Sequence, residues 1–147
     1  MSMTALHIVL DTNIFIVILG KKSPYRWIFE KILSGKFILC VSTAIIFEYT
    51  EILARKTTQD VADNISRFLG NHPHIKNTEI YYHFNLITDD KDDNKFIDCA
   101  IASNATCLVS NDKHFKILKN IEFPKVNLFS LNEFEEWANI YRIINES

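Results

Sequence analysis

The sequence predicts a three-layer α/β domain with a central, mostly parallel β-sheet. Short runs that are apolar throughout, such as His7–Leu10, are typical of strands buried on both faces of a parallel sheet. These runs alternate with segments of helical periodicity, which is the pattern of βαβ units. With 147 residues, 48% of them hydrophobic and 23% charged, the chain has the length and composition of one globular domain, which we expect to span residues 1–147.

Short apolar runs define four of the predicted strands. A fifth strand is predicted at 79–86, where β-branched and aromatic residues are frequent but follow no clean period. In chain order the predicted strands are His7–Leu10, Phe37–Val41, Glu79–Leu86, Thr106–Ser110 and Val126–Ser130.

Capping residues indicate where several of the helices begin. Ser23 precedes a proline, Ser42-Thr43 and Thr58 each precede an apolar periodic segment, and Ser130 with Glu133 forms a capping box. The predicted helices are a turn or two at 13–20, then helices at about 24–35, 43–56, 61–69, 94–104, 113–118 and 134–140.

Acidic residues follow two of the predicted strands directly. Asp11 comes after the first strand and Asp112 after the strand at 106–110. If these strands are neighbours at the point where the strand order reverses, both side chains open into the crevice where such sheets bind ligands. Glu48 lies in the second turn of a helix near the same edge. Asp98 lies on the helix that leads to the strand before Asp112.

Each of these acids also has an ordinary structural interpretation. Asp11 can close a turn and Asp112 can cap the helix at 113–118, while Asp92 or Asp93 can cap the helix that begins at Asn94. Asp89 and Asp90 are typical loop charges. The joint arrival of carboxylates from four distant segments nevertheless favours a site for Mg²⁺ or Mn²⁺, cations that prefer oxygen ligands. Such ions activate water for hydrolysis of phosphodiesters.

Four segments resemble the PIN-domain nucleases, and most closely the PIN-type toxins of bacterial toxin–antitoxin systems. They occur in the family's order, within about 8–130, and together are specific where each alone is weak. The segments are Val9–Ile14, Val41–Leu53, Asp92–Ala102 and Leu108–Asp112. The resemblance implies a Rossmann-like sheet, a metal-dependent endoribonuclease that uses Mg²⁺ or Mn²⁺, RNA as substrate, an antitoxin protein as partner, and a homodimer.

The resemblance also implies roles for individual residues. Asp11, Glu48 and Asp112 match the family's first, second and last acidic positions, and Asn13 and Ser110 match polar residues that hydrogen-bond around the site.

The third acidic position departs from the commonest family spacing, which falls on Asn94. We expect Asp98, on the same helix face as Asn94, to serve in its place, with Asp93 as a possible second ligand. The expected catalytic residues are Asp11, Glu48, Asp98 and Asp112; the expected metal ligands are these four with Asp93; and the supporting polar residues are Asn13, Asn94 and Ser110.

Basic residues near the expected rim are candidates for binding substrate phosphates. They are Lys22, Arg55, Lys95 and Lys113. The formal net charge of −2 counts mildly against a polynucleotide substrate, but it becomes +3 when the five expected metal ligands are left out of the count. The alternative hypothesis is a PIN-like module that binds RNA or protein without catalysis, and Asn94 is the feature that favours it.

Other function classes lack their motifs. The sequence has neither Gly-x-Gly-x-x-Gly nor Gly-x-x-x-x-Gly-Lys, so it does not predict nucleotide binding through a glycine-rich loop. The three cysteines lie in apolar runs without Cys-x-x-Cys spacing and are expected to be buried free thiols. With no long apolar stretch and no secretory signal, we expect a cytoplasmic protein without membrane contact.

Overall fold

The computed structural model describes residues 5–140, which form one five-stranded sheet and six α-helices. The strands are β1 (Leu6–Leu10), β2 (Phe37–Val41), β3 (Ile75–Asn77), β4 (Cys107–Val109) and β5 (Leu128–Phe129). The helices are α1 (Thr12–Leu19), α2 (Arg26–Leu33), α3 (Thr43–Lys56), α4 (Gln59–Asn71), α5 (Asn94–Ala102) and α6 (Leu131–Ile140). Every strand pairing is parallel, so the predicted three-layer α/β fold with a parallel sheet is confirmed.

The strand order β3-β2-β1-β4-β5 places the switch point between β1 and β4. From β1 the chain adds β2 and β3 on one side, and then returns to add β4 and β5 on the other. Leu10 is the register partner of Val109, and the amide of Asp11 extends the ladder by donating to the Val109 carbonyl over 3.1 Å. The carboxyl ends of β1 and β4 therefore lie side by side, which meets the condition under which Asp11 and Asp112 share one crevice.

The central strands are buried on both faces. Ile8, Val9 and Leu10 of β1 have no exposed surface, and the three residues of β4 are almost as inaccessible. This burial explains why the strands are uninterrupted apolar runs rather than alternating ones. Cys40, Cys99 and Cys107 are free and buried, as predicted.

Helix α3 is fixed against the carboxyl end of β1 by a buried tyrosine. The ring of Tyr49 stacks on Phe15 of α1 with 4.0 Å between ring centroids, and its hydroxyl donates to the carbonyl of Leu10. Ile45 and Leu53 continue the same buried face of the helix. Glu48, one residue before Tyr49, is thereby brought to the end of β1.

Three of the predicted caps are present, whereas α2 begins at Arg26 rather than at Pro24 and has no side-chain cap. Ser42 accepts a hydrogen bond from the amide of Ile45 at the start of α3, and Thr58 accepts one from Val61 at the start of α4. At α6 the reciprocal bonds of a capping box join Ser130 and Glu133. Capping residues therefore predicted the starts of α3, α4 and α6 well.

The predicted strand at Glu79–Leu86 is wrong. The third strand is instead Ile75–Asn77, which pairs with β2, and the chain then runs without regular structure through 78–90 before a 3₁₀ helix at Lys91–Asp93. The β-branched and aromatic content that indicated a strand belongs to a surface segment that gains no ladder partner. The predicted helix at 113–118 is a 3₁₀ helix, Lys113–Asn120, and β5 is shorter than predicted. Within residues 5–140, no helix has the length and apolar character needed to cross a membrane.

Candidate active site

Asp11 is the most buried acid at the carboxyl edge of the sheet, with 6% of its surface exposed. One carboxylate oxygen accepts the amide of Ile14 over 3.1 Å and so caps α1, while the other accepts a hydrogen bond from the Ser110 hydroxyl at the end of β4. Burial raises the pKa of Asp11, and these two hydrogen bonds oppose the rise because they favour the ionised form. Asp11 therefore both caps a helix and faces the crevice.

Glu48 reaches the same crevice from α3. Its Oε2 accepts the hydroxyl proton of Thr12, and its Oε1 lies 2.5 Å from the ammonium nitrogen of Lys95 at the start of α5. Lys95 was expected to bind substrate, and the structure places it in an ion pair with a predicted ligand. The pair brings a positive charge to the edge of an acidic pocket.

Asp112 follows β4 and caps the 3₁₀ helix at 113–120. Its Oδ1 accepts the amide of His114 over 2.9 Å, and its own amide donates to the Ser110 hydroxyl over 3.0 Å. Ser110 therefore hydrogen-bonds with both Asp11 and Asp112, which is the supporting arrangement expected of it.

Asp93 approaches from the residue just before α5. Its pKa is raised to about 6, chiefly by burial and then by the neighbouring charges of Asp90 and Asp112. Its Oδ2 lies 3.5 Å from Nδ1 of His114, and the same nitrogen lies 3.4 Å from Oδ1 of Asp112. Neither Asp93 Oδ2 nor His114 Nδ1 has a hydrogen-bond partner of good geometry among the described residues, although both atoms are buried. Two inward-facing atoms of this kind suit a shared cation.

Two residues that the sequence did not point to also join the group. Ligand atoms of Asp90, Asp93 and His114 all lie within 4.8 Å of one another. Asp90 was assigned to loop charge and His114 was not singled out. His114 stands two residues after Asp112, so its position near a strand end was a signal that sequence reasoning left unused.

Four of the acids line a pocket of about 180 Å³ at the switch point: Asp11, Glu48, Asp93 and Asp112. Liquid water occupies about 30 Å³ per molecule, so the pocket has room for a cation and several waters, as Mg²⁺ requires. The carboxylate oxygens, the raised pKa of Asp93 and the unpartnered atoms all fit a divalent cation that prefers oxygen ligands. The pocket is lined by Asp11, Thr12, Asn13, Glu48, Ile52, Lys56, Asp93, Phe96 and Asp112.

The structure does not bring Asp98 to this pocket. Its Oδ1 accepts the amide of Phe84 over 3.0 Å, its Oδ2 lies 3.2 Å from Nδ1 of His83, and only 3% of the residue is exposed. Asn94 lies on the same face of α5, as predicted, and is bonded through its side chain to both backbone groups of Ile87. That face of α5 holds the segment 78–90, whereas Asp93 alone extends from the start of the helix into the crevice.

Of the remaining predicted residues, Asn13 lines the acidic pocket, whereas Lys22, Arg55 and Lys113 do not. Asn13 is exposed and lines the pocket from the first turn of α1. Lys22, Arg55 and Lys113 are exposed, and Arg55 makes a surface ion pair with Glu51 at 3.4 Å. Lys56, which was not among the candidates, lines the acidic pocket itself.

Comparison with known proteins identifies the family and the fold. A family model described as PIN domain matches residues 7–114. Among solved structures, one match is VapBC2 from Rickettsia felis bound to a DNA fragment from their promoter, with a TM-score of 0.59, 20% identity, and coverage of 85% of this chain and 98% of that chain. Another is the T. brucei RRP44 PIN domain, with a TM-score of 0.51, 14% identity, and coverage of 95% and 84%. At these identities the structural similarities show a shared fold. No curated protein matches the sequence.

Proposed function

The chain belongs to the PIN-domain family, and on that premise we propose that it is a metal-dependent ribonuclease that hydrolyses RNA phosphodiester bonds. PIN domains are generally nucleases, so the family itself suggests a nuclease. One observation carries the finer proposal: Asp11, Glu48, Asp93 and Asp112, from four separate parts of the chain, line one small pocket at the switch point of the sheet. Burial is the main cause of the raised pKa of Asp93, and the neighbouring charges of Asp90 and Asp112 add to it, so the ionised form is unfavourable there without a cation.

The proposed metal ligands are these four residues, with Asp90 and His114 beside Asp93. A bound Mg²⁺ or Mn²⁺ would supply charge stabilisation at phosphoryl oxygens and a water of lowered pKa. The chain's own contribution is to hold the ligands ready. Ser110 orients Asp11 and Thr12 orients Glu48, and outer partners of this kind are important for metal affinity.

The third acidic ligand is proposed to be Asp93 rather than Asp98. Both oxygens of Asp98 are engaged by the segment 78–90, and Asp98 does not line the acidic pocket. Asp93 lines the pocket, carries a raised pKa and has a buried oxygen without a hydrogen-bond partner. The hypothesis of a non-catalytic module rested on Asn94, and a pocket completed by Asp93 weakens that argument.

The biological setting is proposed to be a toxin–antitoxin pair, with RNA as the substrate, an antitoxin protein as the partner, and a cytoplasmic homodimer as the assembly. The structural similarity to VapBC2 supports this setting, because it covers nearly the whole of that chain and most of this one. Exposed Asn13 and Lys56 at the pocket give the substrate groups to contact beside the acids.

The test is cleavage of a single-stranded RNA by the purified protein with Mg²⁺ or Mn²⁺, compared with Asp11→Asn. Asparagine also caps helices, so this variant keeps the fold of α1 while it removes a metal ligand. Glu51→Gln is the matched control, because it removes an exposed carboxylate outside the pocket. We expect the wild type and Glu51→Gln to cut RNA and Asp11→Asn to be inactive. Equal inactivity of all three proteins, with no heat of Mn²⁺ binding by calorimetry, would refute the proposal.

A further inference from the structure

A second, larger pocket adjoins the acidic one. It has a volume of about 580 Å³ and lies between the first turn of α3, the start of α5 and the segment 78–85. Lys95 lines this side pocket, and its ammonium group pairs with Glu48, which lines the acidic pocket. We propose that the side pocket binds one nucleotide of single-stranded RNA, next to the phosphodiester held at the acidic pocket. This inference rests on the proposed nuclease function and names how its substrate is held.

The wall formed by residues 78–87 is anchored although it has no regular structure. The amide of Thr78 donates to the carbonyl of Val41 over 2.7 Å, and further along Phe84 and Ile87 are bonded to Asp98 and Asn94 of α5. Two buried polar side chains of α5 are therefore used to hold this segment in place. A fixed segment presents its side chains without the entropy cost of ordering them on binding.

Between these anchors stands an aromatic ring that the fold itself does not use. Tyr81 lines the side pocket and is 86% exposed. An exposed aromatic ring on a fixed backbone is the type of platform on which proteins stack the bases of single-stranded nucleic acids, since every base offers a π-face. Tyr81 is proposed to be that platform.

Several of the other lining groups suit the rest of a nucleotide, beside the carboxylates of Glu79, Asp92 and Asp98 that also line the pocket. Lys91 is exposed and Lys95 is partly exposed, so that both can contact phosphates. Ser42, Thr43 and Asn85 offer hydroxyl and amide groups for base edges and the ribose. The volume lies within the range of sites for small molecules, about 300–1,000 Å³. A pocket of this size, with hydroxyl, amide and ammonium groups beside the exposed ring of Tyr81, can hold a single nucleotide.

The experiment measures binding without cleavage, in the Asp11→Asn background, by fluorescence anisotropy of a labelled single-stranded RNA. Adding Tyr81→Ala is expected to weaken binding about tenfold, the effect of losing one stacked base, and Tyr81→Phe is expected to retain it. Tyr82→Ala is the matched control: Tyr82 is 66% exposed on the same segment, but its ring contacts Phe84 and does not line the pocket. Because Tyr81 is so exposed, its removal leaves the fold intact, which circular dichroism will check.

A second readout tests the phosphate contact. Lys91→Gln should reduce the slope of log Kd against log salt by about 0.7, the value for one phosphate contact on a single strand. Lys125→Gln is the control, because this exposed lysine precedes β5 and so lies toward the opposite edge of the sheet. An unchanged slope in both variants would remove Lys91 from the pocket's function and would overturn the proposal.

The proposal is also overturned if Tyr81→Ala binds RNA as tightly as its parent, if Tyr82→Ala loses as much, or if the parent binds a protein partner through Tyr81 but no RNA. RNA cleavage assays without the Asp11→Asn substitution distinguish the nuclease proposal from the proposal of a nucleotide pocket. An active enzyme whose kcat/KM is unaffected by Tyr81→Ala keeps the nuclease and loses the nucleotide pocket. An inactive protein that still binds RNA through Tyr81 keeps the pocket and loses the nuclease.

Discussion

The hydroxyl of Ser110, at the end of β4, donates a hydrogen bond to the carboxylate of Asp11, at the end of β1. Since hydrogen bonding to the ionised form lowers the pKa of a carboxyl group, this bond offsets part of the rise that burial causes in Asp11. The two residues flank the switch point of the sheet. Because β1 and β4 are neighbours, Ser110 is close enough to Asp11 to affect the pKa of its carboxyl group.

Replacing Ser110 with alanine should weaken metal binding. Without the hydroxyl, the pKa of Asp11 rises further, and protons compete more strongly with the cation. We expect Mn²⁺ affinity at neutral pH to fall about tenfold, as for other outer partners of metal ligands, and the loss to become smaller as pH increases. Calorimetric titrations with Mn²⁺ at two pH values about 1.5 units apart would measure the affinities of the wild type and of Ser110→Ala. Ser110→Thr keeps the hydroxyl and serves as the control; a loss independent of pH would contradict the argument.

Replacing Asp93 with asparagine should stabilise the metal-free protein above pH 6. The folded-state pKa of Asp93 is raised to about 6, above the usual value of about 3.9, so the folded state binds the proton more tightly. Stability therefore falls as pH rises between these values and stays lower above them. Allowing for solvent screening, we expect Asp93→Asn to gain about 1 kcal/mol at neutral pH and nothing below about pH 4. Urea unfolding at both extremes measures this difference.

The same variant should respond differently to metal. Addition of Mn²⁺ stabilises the wild type because the folded state alone forms the site, and this gain should shrink in Asp93→Asn. A variant that is less stable than wild type at neutral pH without metal would show that Asp93 makes a favourable contact there, contrary to its unpartnered oxygen.

Replacing Asp98 should affect stability and leave the metal site unchanged. In Asp98→Ala the part-buried amide of Phe84 loses its acceptor, which costs about 1 kcal/mol, and hydrogen exchange in 78–90 should accelerate. Asp98→Asn keeps an oxygen for that amide and should be milder. Both variants are expected to bind Mn²⁺ within about threefold of wild type, since less than ~0.7 kcal/mol of coupling is expected. A loss of metal binding as large as that in Asp11→Asn would return Asp98 to the set of ligands.

Removing the ammonium group of Lys95 should increase metal affinity while it lowers affinity for RNA. Lys95 neutralises part of the charge on Glu48 and so competes with a cation for that carboxylate. For a partly exposed pair the expected gain in Mn²⁺ affinity in Lys95→Ala is about threefold. Arg55→Ala is the matched control for Mn²⁺ affinity, which it should leave unchanged, because Arg55 pairs with Glu51 and lines neither pocket. Weaker Mn²⁺ binding in Lys95→Ala would indicate that Lys95 orients Glu48 rather than competing for it.

The fold was predictable because its signals are local. Buried parallel strands are written as apolar runs, and the capping pair Ser130 and Glu133 marks a helix start within four residues. The position of Asp11 and Asp112 at strand ends followed from the same runs. Two acids at neighbouring strand ends were therefore within reach of the sequence.

The remaining parts of the site depend on packing that the sequence does not state. Helical periodicity correctly put Asn94 and Asp98 on one face, but it does not say which neighbour that face meets, and the neighbour is the segment 78–90. The aromatic content of that segment indicated a strand. However, β-propensity reports how well a residue fits a partly buried surface, and it does not show whether the segment has a neighbouring strand to pair with. His114 joins Asp90 and Asp93 only through packing of the 3₁₀ helix at 113–120 against the one at 91–93.

The two hydrogen bonds between the side chain of Asn94 and the backbone of Ile87 have a consequence for sequence variation. The amide accepts from the Ile87 nitrogen and donates to the Ile87 oxygen, whereas an ionised carboxylate can only accept. Asn94→Asp would therefore set a negative charge against a carbonyl oxygen and release the segment that Asn94 holds. A homologue with aspartate at this position must fasten its corresponding segment in another way, so the acid at the head of α5 and the length and course of the preceding loop should change together.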